Sequence, residues 1–222
     1  NEGTTEVPRL KPYLHLGTLS QPPGFSASPR GTAEEIASTL ASHGYVGVQE
    51  ADPEAYRESG LSLAVLGRAN TPDEIEELAR RWAEANYDCG TLHIGWGFED
   101  DHEIDALVRA VTDASDTYAI PLYIETHRAT ITQDPWRTLR LIERNPGVRF
   151  NGDFSHWYTG TEMPYGDFMD KVGRLGPVFE RVRFIHARVG DSSNMQVPTK
   201  APSMETALEH FRELWRRSFA GF

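Results

Sequence analysis

Leu122-Tyr123-Ile124 runs into Glu125-Thr126-His127-Arg128, Val148-Arg149-Phe150 runs into Asp153-Phe154-Ser155-His156, and Val182-Arg183-Phe184-Ile185 runs into His186-Ala187-Arg188. Each unit is a short apolar run, rich in β-branched and aromatic residues, that ends in a polar cluster. Such runs read as strands, and each carries a carboxylate or an imidazole at or just past its end. A helix-like segment that opens at Asp134-Pro135 and carries Trp136, Leu139 and Ile142 joins the first two. A longer loop-plus-helix connection, Trp157 to Glu180, joins the last two, with Ser155-His156-Trp157 continuing as loop.

The same alternation extends back to the start of the chain. Strands are expected at 13–17, 45–50, 61–67 and 89–95, followed by 120–126, 148–153 and 182–187. Amphipathic helices lie between them. Thr32 caps one that buries Ile36, Ala37, Leu40 and Ala41, and Thr71-Pro72-Asp73-Glu74 opens one that buries Ile75, Leu78, Ala79 and Trp82. Asp101 to Tyr118 turns Ile104, Leu107, Val108 and Val111 inward. A last helix from about Ser203 to Phe219 presents Leu208, Phe211, Leu214 and Trp215 on one face. Seven βα units imply a parallel sheet with helices outside it. An open doubly wound sheet would show a glycine fingerprint after its first strand, yet Gly17 is followed by Thr18-Leu19-Ser20. Polar residues at the ends of at least five strands favour a (βα)8 TIM barrel, whose active-site residues come from many strand ends. The expected organisation is one domain spanning 1–222.

Composition narrows the function. The 222 residues are 39% hydrophobic and 25% charged, which is ordinary for a globular chain. The 33 acidic against 22 basic residues give a net charge of −11, which repels phosphate backbones and argues against nucleic acid as partner. The one cysteine, Cys89, excludes an intramolecular disulfide framework and suits a reducing compartment such as the cytoplasm. No apolar run approaches a membrane span, and no signal-peptide core stands at the start. Asn1 to Pro8 reads as a polar lead-in. A homo-oligomer is compatible with the sequence without being required by it.

Glu125, Asp153 and His186 together offer carboxylate oxygens and an imidazole to one divalent ion, Mn²⁺, Mg²⁺, Co²⁺ or Zn²⁺. Neighbouring parallel strands lie about 4.8 Å apart, close enough for ligands on three successive ones to meet a single ion. Any one of these residues alone is as well read as a helix cap or a loop ion-pair partner. His156 stands beside the expected ion as a substrate contact or a surface hydrogen-bonder. Arg188 and His127 each sit two residues past a ligand, on the same side of an extended chain; Arg188 either holds a substrate oxygen or pairs with Asp191. Glu50, His93 and His15 lie near strand ends, as mouth-lining or rim residues. Trp96 offers a face for a sugar or ordinary packing, and Cys89 has no basic neighbour to activate it.

Ile124-Glu125-Thr126-His127-Arg128, Asp153-Phe154-Ser155-His156-Trp157 and Phe184-Ile185-His186-Ala187-Arg188 resemble the xylose isomerase-like TIM-barrel superfamily, in its sugar (phosphate) isomerase/epimerase branch. The resemblance covers about Tyr13 to Phe219. It implies one divalent metal on Glu125, Asp153, His186 and a further glutamate, with His156 and Arg188 near the substrate. It also implies proton transfer through an enediolate on a small sugar or sugar phosphate, with Glu125 as a base. The family's further glutamate sits on an eighth strand, and this sequence reaches Phe222 just after the seventh helix. Three explanations stand: a longer natural chain, a partner subunit that closes the barrel, or a non-catalytic barrel. The first is favoured because a missing strand leaves two sheet edges unpaired. Besides the isomerase, a non-catalytic sugar-binding barrel and an endonuclease of the same superfamily are the competing functions.

Overall fold

A computed structural model describes residues 9–22 and 24–222; the lead-in at 1–8 lies outside the described residues. Seven strands are present: β1 Tyr13–His15, β2 Gly47–Gln49, β3 Ser62–Ala69, β4 Cys89–Ile94, β5 Leu122–Glu125, β6 Phe150–Asn151 and β7 Val182–Phe184. The helices are α1 Ala33–Ser42, α2 Pro53–Tyr56, α3 Pro72–Glu84, α4 Asp101–Thr117, α5 Pro135–Arg144, α6 Ser155–Gly160, α7 Phe168–Arg174, α8 Gly176–Phe179 and α9 Glu205–Ala220. The strands hydrogen-bond in sequence order, β1 to β7, with parallel registers such as Tyr13 opposite Gly47 and Gly90 opposite Leu122. Strand order that follows the sequence without a reversal is the order of a (βα)8 TIM barrel; a doubly wound sheet reverses at a switch point. Seven of the eight strands of that fold class are present, and no eighth follows β7 among the described residues.

The contacts group these residues into two compact units. The first holds the described residues up to Val65 together with Ala85–Asp88. Its helix α1 starts at a reciprocal cap. Thr32 Oγ1 accepts from Glu35 N at 3.3 Å, and Thr32 N donates to Glu35 Oε2 at 2.8 Å. Ala37 and Leu40 of α1 then pack with Val48, Ala51, Tyr56 and Leu63 into an apolar cluster. Ala41, expected on that stripe, is exposed.

The second unit holds Leu66–Glu84 and Cys89–Phe222. Helix α3 buries Ile75, Ala79 and Trp82. The Trp82 ring lies against Gly67 and Gly90, where an added Cβ would come within 2.6 and 2.5 Å of it. Only glycine lets α3 sit that close to β3 and β4. Helix α4 turns Ile104, Leu107, Val108 and Val111 inward, as its sequence spacing predicts. Helix α5 opens where the sequence places it, at Asp134-Pro135. It buries Thr138, Leu141 and Ile142, whereas Trp136 is 69% exposed beneath the Arg140 guanidinium. Trp136 lies two residues, or about 200°, from Thr138 around the helix, so it cannot share the buried stripe. Every strand except β3 is shorter than expected, β6 the most, because the chain leaves the sheet early. Gly152 N still donates to Phe184 O at 2.8 Å, but Ser155-His156-Trp157 opens α6 instead of continuing as loop. No helix among the described residues is long and apolar enough to cross a membrane.

Candidate metal centre

β5 and β6 pair with Glu125 opposite Asn151, so both side chains leave one face of the sheet together. Asn151 Nδ2 donates to Glu125 Oε2 at 3.0 Å. His93 from β4 places Nε2 3.2 Å from Glu125 Oε1, and His186, just past β7, places Nδ1 3.2 Å from Glu125 Oε2. The same His186 nitrogen lies 4.0 Å from Asp153 Oδ2. The structure thus gathers Glu125, Asp153 and His186, and both carboxylates are 2% exposed.

A second layer holds Asp153. Arg188 Nη2 donates to Asp153 Oδ2 at 2.5 Å and to His156 Nε2 at 2.6 Å, while Arg188 Nε donates to Ser155 Oγ at 2.9 Å. Ser155 Oγ donates in turn to Asp153 Oδ1 at 2.6 Å. Asp191, the other acid considered for Arg188, accepts instead from the backbone of Ser193 and Asn194. The buried His156 sits in the first turn of α6. The His127 ring lies between those of His93 and His156, at centroid distances of 4.0 and 3.9 Å.

The loop after β5 is fixed from behind. Thr132 Oγ1 donates to Glu125 O at 2.5 Å and accepts from His127 N at 3.2 Å, and Trp157 Nε1 donates to Thr132 O at 2.9 Å. These bonds satisfy the carbonyl of Glu125 and the amide of His127, and so hold the main chain just after the glutamate.

Burial alone would raise Glu125, but the His186 and His93 imidazoles beside it outweigh this and hold the carboxylate ionised, well below its usual range. Burial would lower His186, and the Glu125 carboxylate reverses this and raises it. Burial pushes the Asp153 carboxyl up despite the Arg188 guanidinium, and the Glu125 charge adds to the push. Burial, followed by the charges of His127 and Arg188, lowers His156 to about 3; burial and then His93 lower His127 to about 4. Both are therefore neutral imidazoles at neutral pH, and His156 Nε2 is an acceptor for Arg188.

The donor set suits a divalent cation. Ligand atoms of Glu125, Asp153 and His156 lie within 4.8 Å of one another, as do those of His93, Glu125 and His127. His156 Nδ1 and Asn151 Oδ1 are buried without a hydrogen-bond partner. Two buried carboxylates beside the orphaned Asn151 amide oxygen mark a place where positive charge is wanted, whereas His156 Nδ1 carries the ring proton when Nε2 accepts from Arg188.

Two expected residues stand apart. Trp96, 56% exposed, begins the loop after β4 beneath the Arg68 guanidinium, at 5.0 Å. Glu50 belongs to the first unit, exposed just past β2. Asn151, Ser155 and Arg68 were not singled out from the sequence. Asn151 had a signal, because it precedes Asp153 by two and so shares its side of an extended chain. Ser155 lies two residues past Asp153, the same local signal, and Arg68 had none, since its partners come from distant segments.

No protein-family model matches the sequence, and no curated protein sequence does. Solved structures do match in fold. A D-tagatose 3-epimerase-like protein is 11% identical over 96% of this chain and 94% of its own, with a TM-score of 0.59. A xylose isomerase-like TIM-barrel protein from Mycobacterium smegmatis, in complex with magnesium, is 13% identical over 92% of this chain and 87% of its own, with a TM-score of 0.54. Endonuclease IV from Thermus thermophilus is 14% identical over 92% of this chain and 98% of its own, with a TM-score of 0.50. The chain has the xylose isomerase-like TIM-barrel fold.

Proposed function

We propose that this chain, built on the xylose isomerase-like barrel, is a metal-dependent sugar or sugar-phosphate isomerase or epimerase that transfers a proton through an enediolate. The observation that carries the reading is the convergence of Glu125, Asp153 and His186 from the ends of successive strands, at 3.2 and 4.0 Å from the His186 nitrogen. These three would hold one Mn²⁺, Mg²⁺, Co²⁺ or Zn²⁺ ion, since carboxylate and imidazole ligands serve all four. Such an ion supplies the Lewis-acid charge that favours a negative oxygen beside the reacting carbon.

The chain's own residues do the rest. Glu125 is ionised in a buried setting, the state required of a base that takes a proton from the carbon next to a carbonyl. Arg188, fixed by Asp153 and Ser155, and His156 beside it hold a substrate hydroxyl or carbonyl oxygen. His127 and His93 flank the same space as hydrogen-bonding imidazoles. Trp96 offers an apolar face to a sugar, and Glu50 enters the proposal by its strand-end position alone.

Metal analysis and calorimetry test the first half: one ion per chain is expected, with affinity sharply reduced in Glu125→Gln, Asp153→Asn and His186→Ala. Solvent deuterium tests the second half, by incorporation into the carbon next to the carbonyl of a ketose. A chain that binds none of the four ions overturns the reading. Sugar binding without exchange assigns it to a non-catalytic barrel, and several bound ions with nicking of duplex DNA assign it to a nuclease.

A further inference from the structure

We infer that the substrate of this centre carries an anionic group, a phosphate ester or a carboxylate, and that Arg68 receives it. The inference deepens the proposed function and rests on it for the location of the reacting atoms. Arg68 lies near the end of β3, half-buried. Its Nη1 donates to Gly95 O at 2.7 Å and to Ala129 O at 3.4 Å. Gly95 is two residues past His93, and Ala129 is two residues past His127. The guanidinium therefore bridges the segment that follows His93 at the end of β4 and the loop that carries His127. Its plane is further steadied by the Trp96 ring 5.0 Å away.

The two arginines of this region differ in what neutralises them. Arg188 spends its charge on Asp153 inside the site. Arg68 has only backbone carbonyls and an indole, and among the described residues no carboxylate pairs with it. A guanidinium has five donors in a rigid fork, of which the Nη1 contacts use a part. Its positive charge is felt at His127, and that of Arg128 at His156. This concentration of cationic groups beside neutral imidazoles occurs in a chain of net charge −11, where general electrostatics would repel an anion. A fixed, unneutralised arginine on a loop-bridging perch matches the planar oxygens of a phosphate or carboxylate. A neutral sugar would leave that charge without a counterpart.

The test is calorimetric titration of the full chain, metal-free and after loading with Mn²⁺, using inorganic phosphate, D-fructose 6-phosphate, D-gluconate and D-fructose as probes. D-fructose 6-phosphate or D-gluconate is expected to bind at least about tenfold tighter than D-fructose, and the comparison between those two tells phosphate from carboxylate. Arg68→Gln keeps an amide donor for the loop carbonyls and removes the charge. It is expected to erase the anion's advantage over D-fructose while leaving metal stoichiometry unchanged. D-fructose binding as tightly as both anions overturns the inference, and so does a variant that weakens neutral and anionic probes alike, which would make Arg68 a loop clamp only. If no ion binds, the proposed function fails, whereas the Arg68 inference is still decided by the metal-free titrations of phosphate and the two anions.

Discussion

His15 ends β1 and Glu50 stands just past β2 in the first unit; Glu125, Asp153 and His186 stand at or just past the ends of β5, β6 and β7 in the second. In sequence the two groups look alike, each a titratable residue after an apolar run. In the structure His15 Nδ1 accepts from Gly17 N at 3.1 Å and so caps the short turn that follows it. Glu50 is exposed, with its backbone in the left-handed region at φ 64°. Glu125 and Asp153 are buried, and their bonds reach His93, His186, Asn151 and Arg188 on other segments. A strand-end acid is therefore informative when it is buried and its partners come from elsewhere in the chain. Local capping is the commoner use of the same residue types.

The largest effect that would sharpen this contrast is expected from Asp153→Ala. The change strips the acceptor from Arg188 and Ser155 and leaves a partly buried guanidinium unpaired. Removing one partner of such a pair is expected to lower the unfolding free energy by about 2–3 kcal/mol, measured by urea denaturation of the metal-free chain. A more stable variant would show that the carboxylate is strained without a cation, and would turn the contrast from structure to function alone. Next in size is Thr132→Val, which keeps the shape but removes the hydroxyl that joins Glu125 O to His127 N. A cost of about 1–2 kcal/mol is expected, together with weaker metal affinity because the loop behind the ligand is loosened.

Much of the fold was legible because periodicity is a local signal. The stripe of α4, the capped start of α1 and the order of the seven strands follow from it. Where partners are non-local, the sequence was silent. Trp136 is large and apolar, but its angular position on α5 leaves it outside the buried face. His156 was read in a loop, since nothing before it marks a cap; Phe154 supplies no side-chain cap to α6. The grouping of Glu125, Asp153 and His186 was legible from their strand-end register. The bonds that Asn151 makes to Glu125 and Arg188 to Asp153, and the placement of Arg68, depend on contacts between distant segments that no spacing encodes.

A smaller effect lies on α9, away from the centre. Glu213 accepts from Arg216 at 2.8 Å and Arg217 at 2.7 Å, and these bonds hold its carboxyl down at about 2. A depressed acid stabilises the folded state above its ordinary value of 4.5 and loses that contribution as pH falls towards 2. The arginines are partly solvent-screened, so Glu213→Gln is expected to cost less than about 1 kcal/mol at neutral pH. The gap between variant and wild type should narrow as pH falls from the ordinary value of 4.5 towards 2 in parallel melts, since both then lack the charge. A gap that stays constant would assign the effect to packing of the side chain.

The smallest effect is expected at Glu50, and it is the one able to break the comparison. Its backbone N donates to Ala64 O at 3.1 Å, and Glu50→Gln leaves that bond and the left-handed backbone in place. An exposed substitution that removes only a charge should stay within about 0.5 kcal/mol of wild type, and metal stoichiometry should be unchanged, because the buried carboxylates supply the ligands. Measured beside Asp153→Asn under the same metal titration, the two acids should differ by the whole effect. Were Glu50→Gln to lose an ion as Asp153→Asn does, an exposed strand-end acid would be acting as a buried one does. Burial would then cease to separate ligands from caps in this chain.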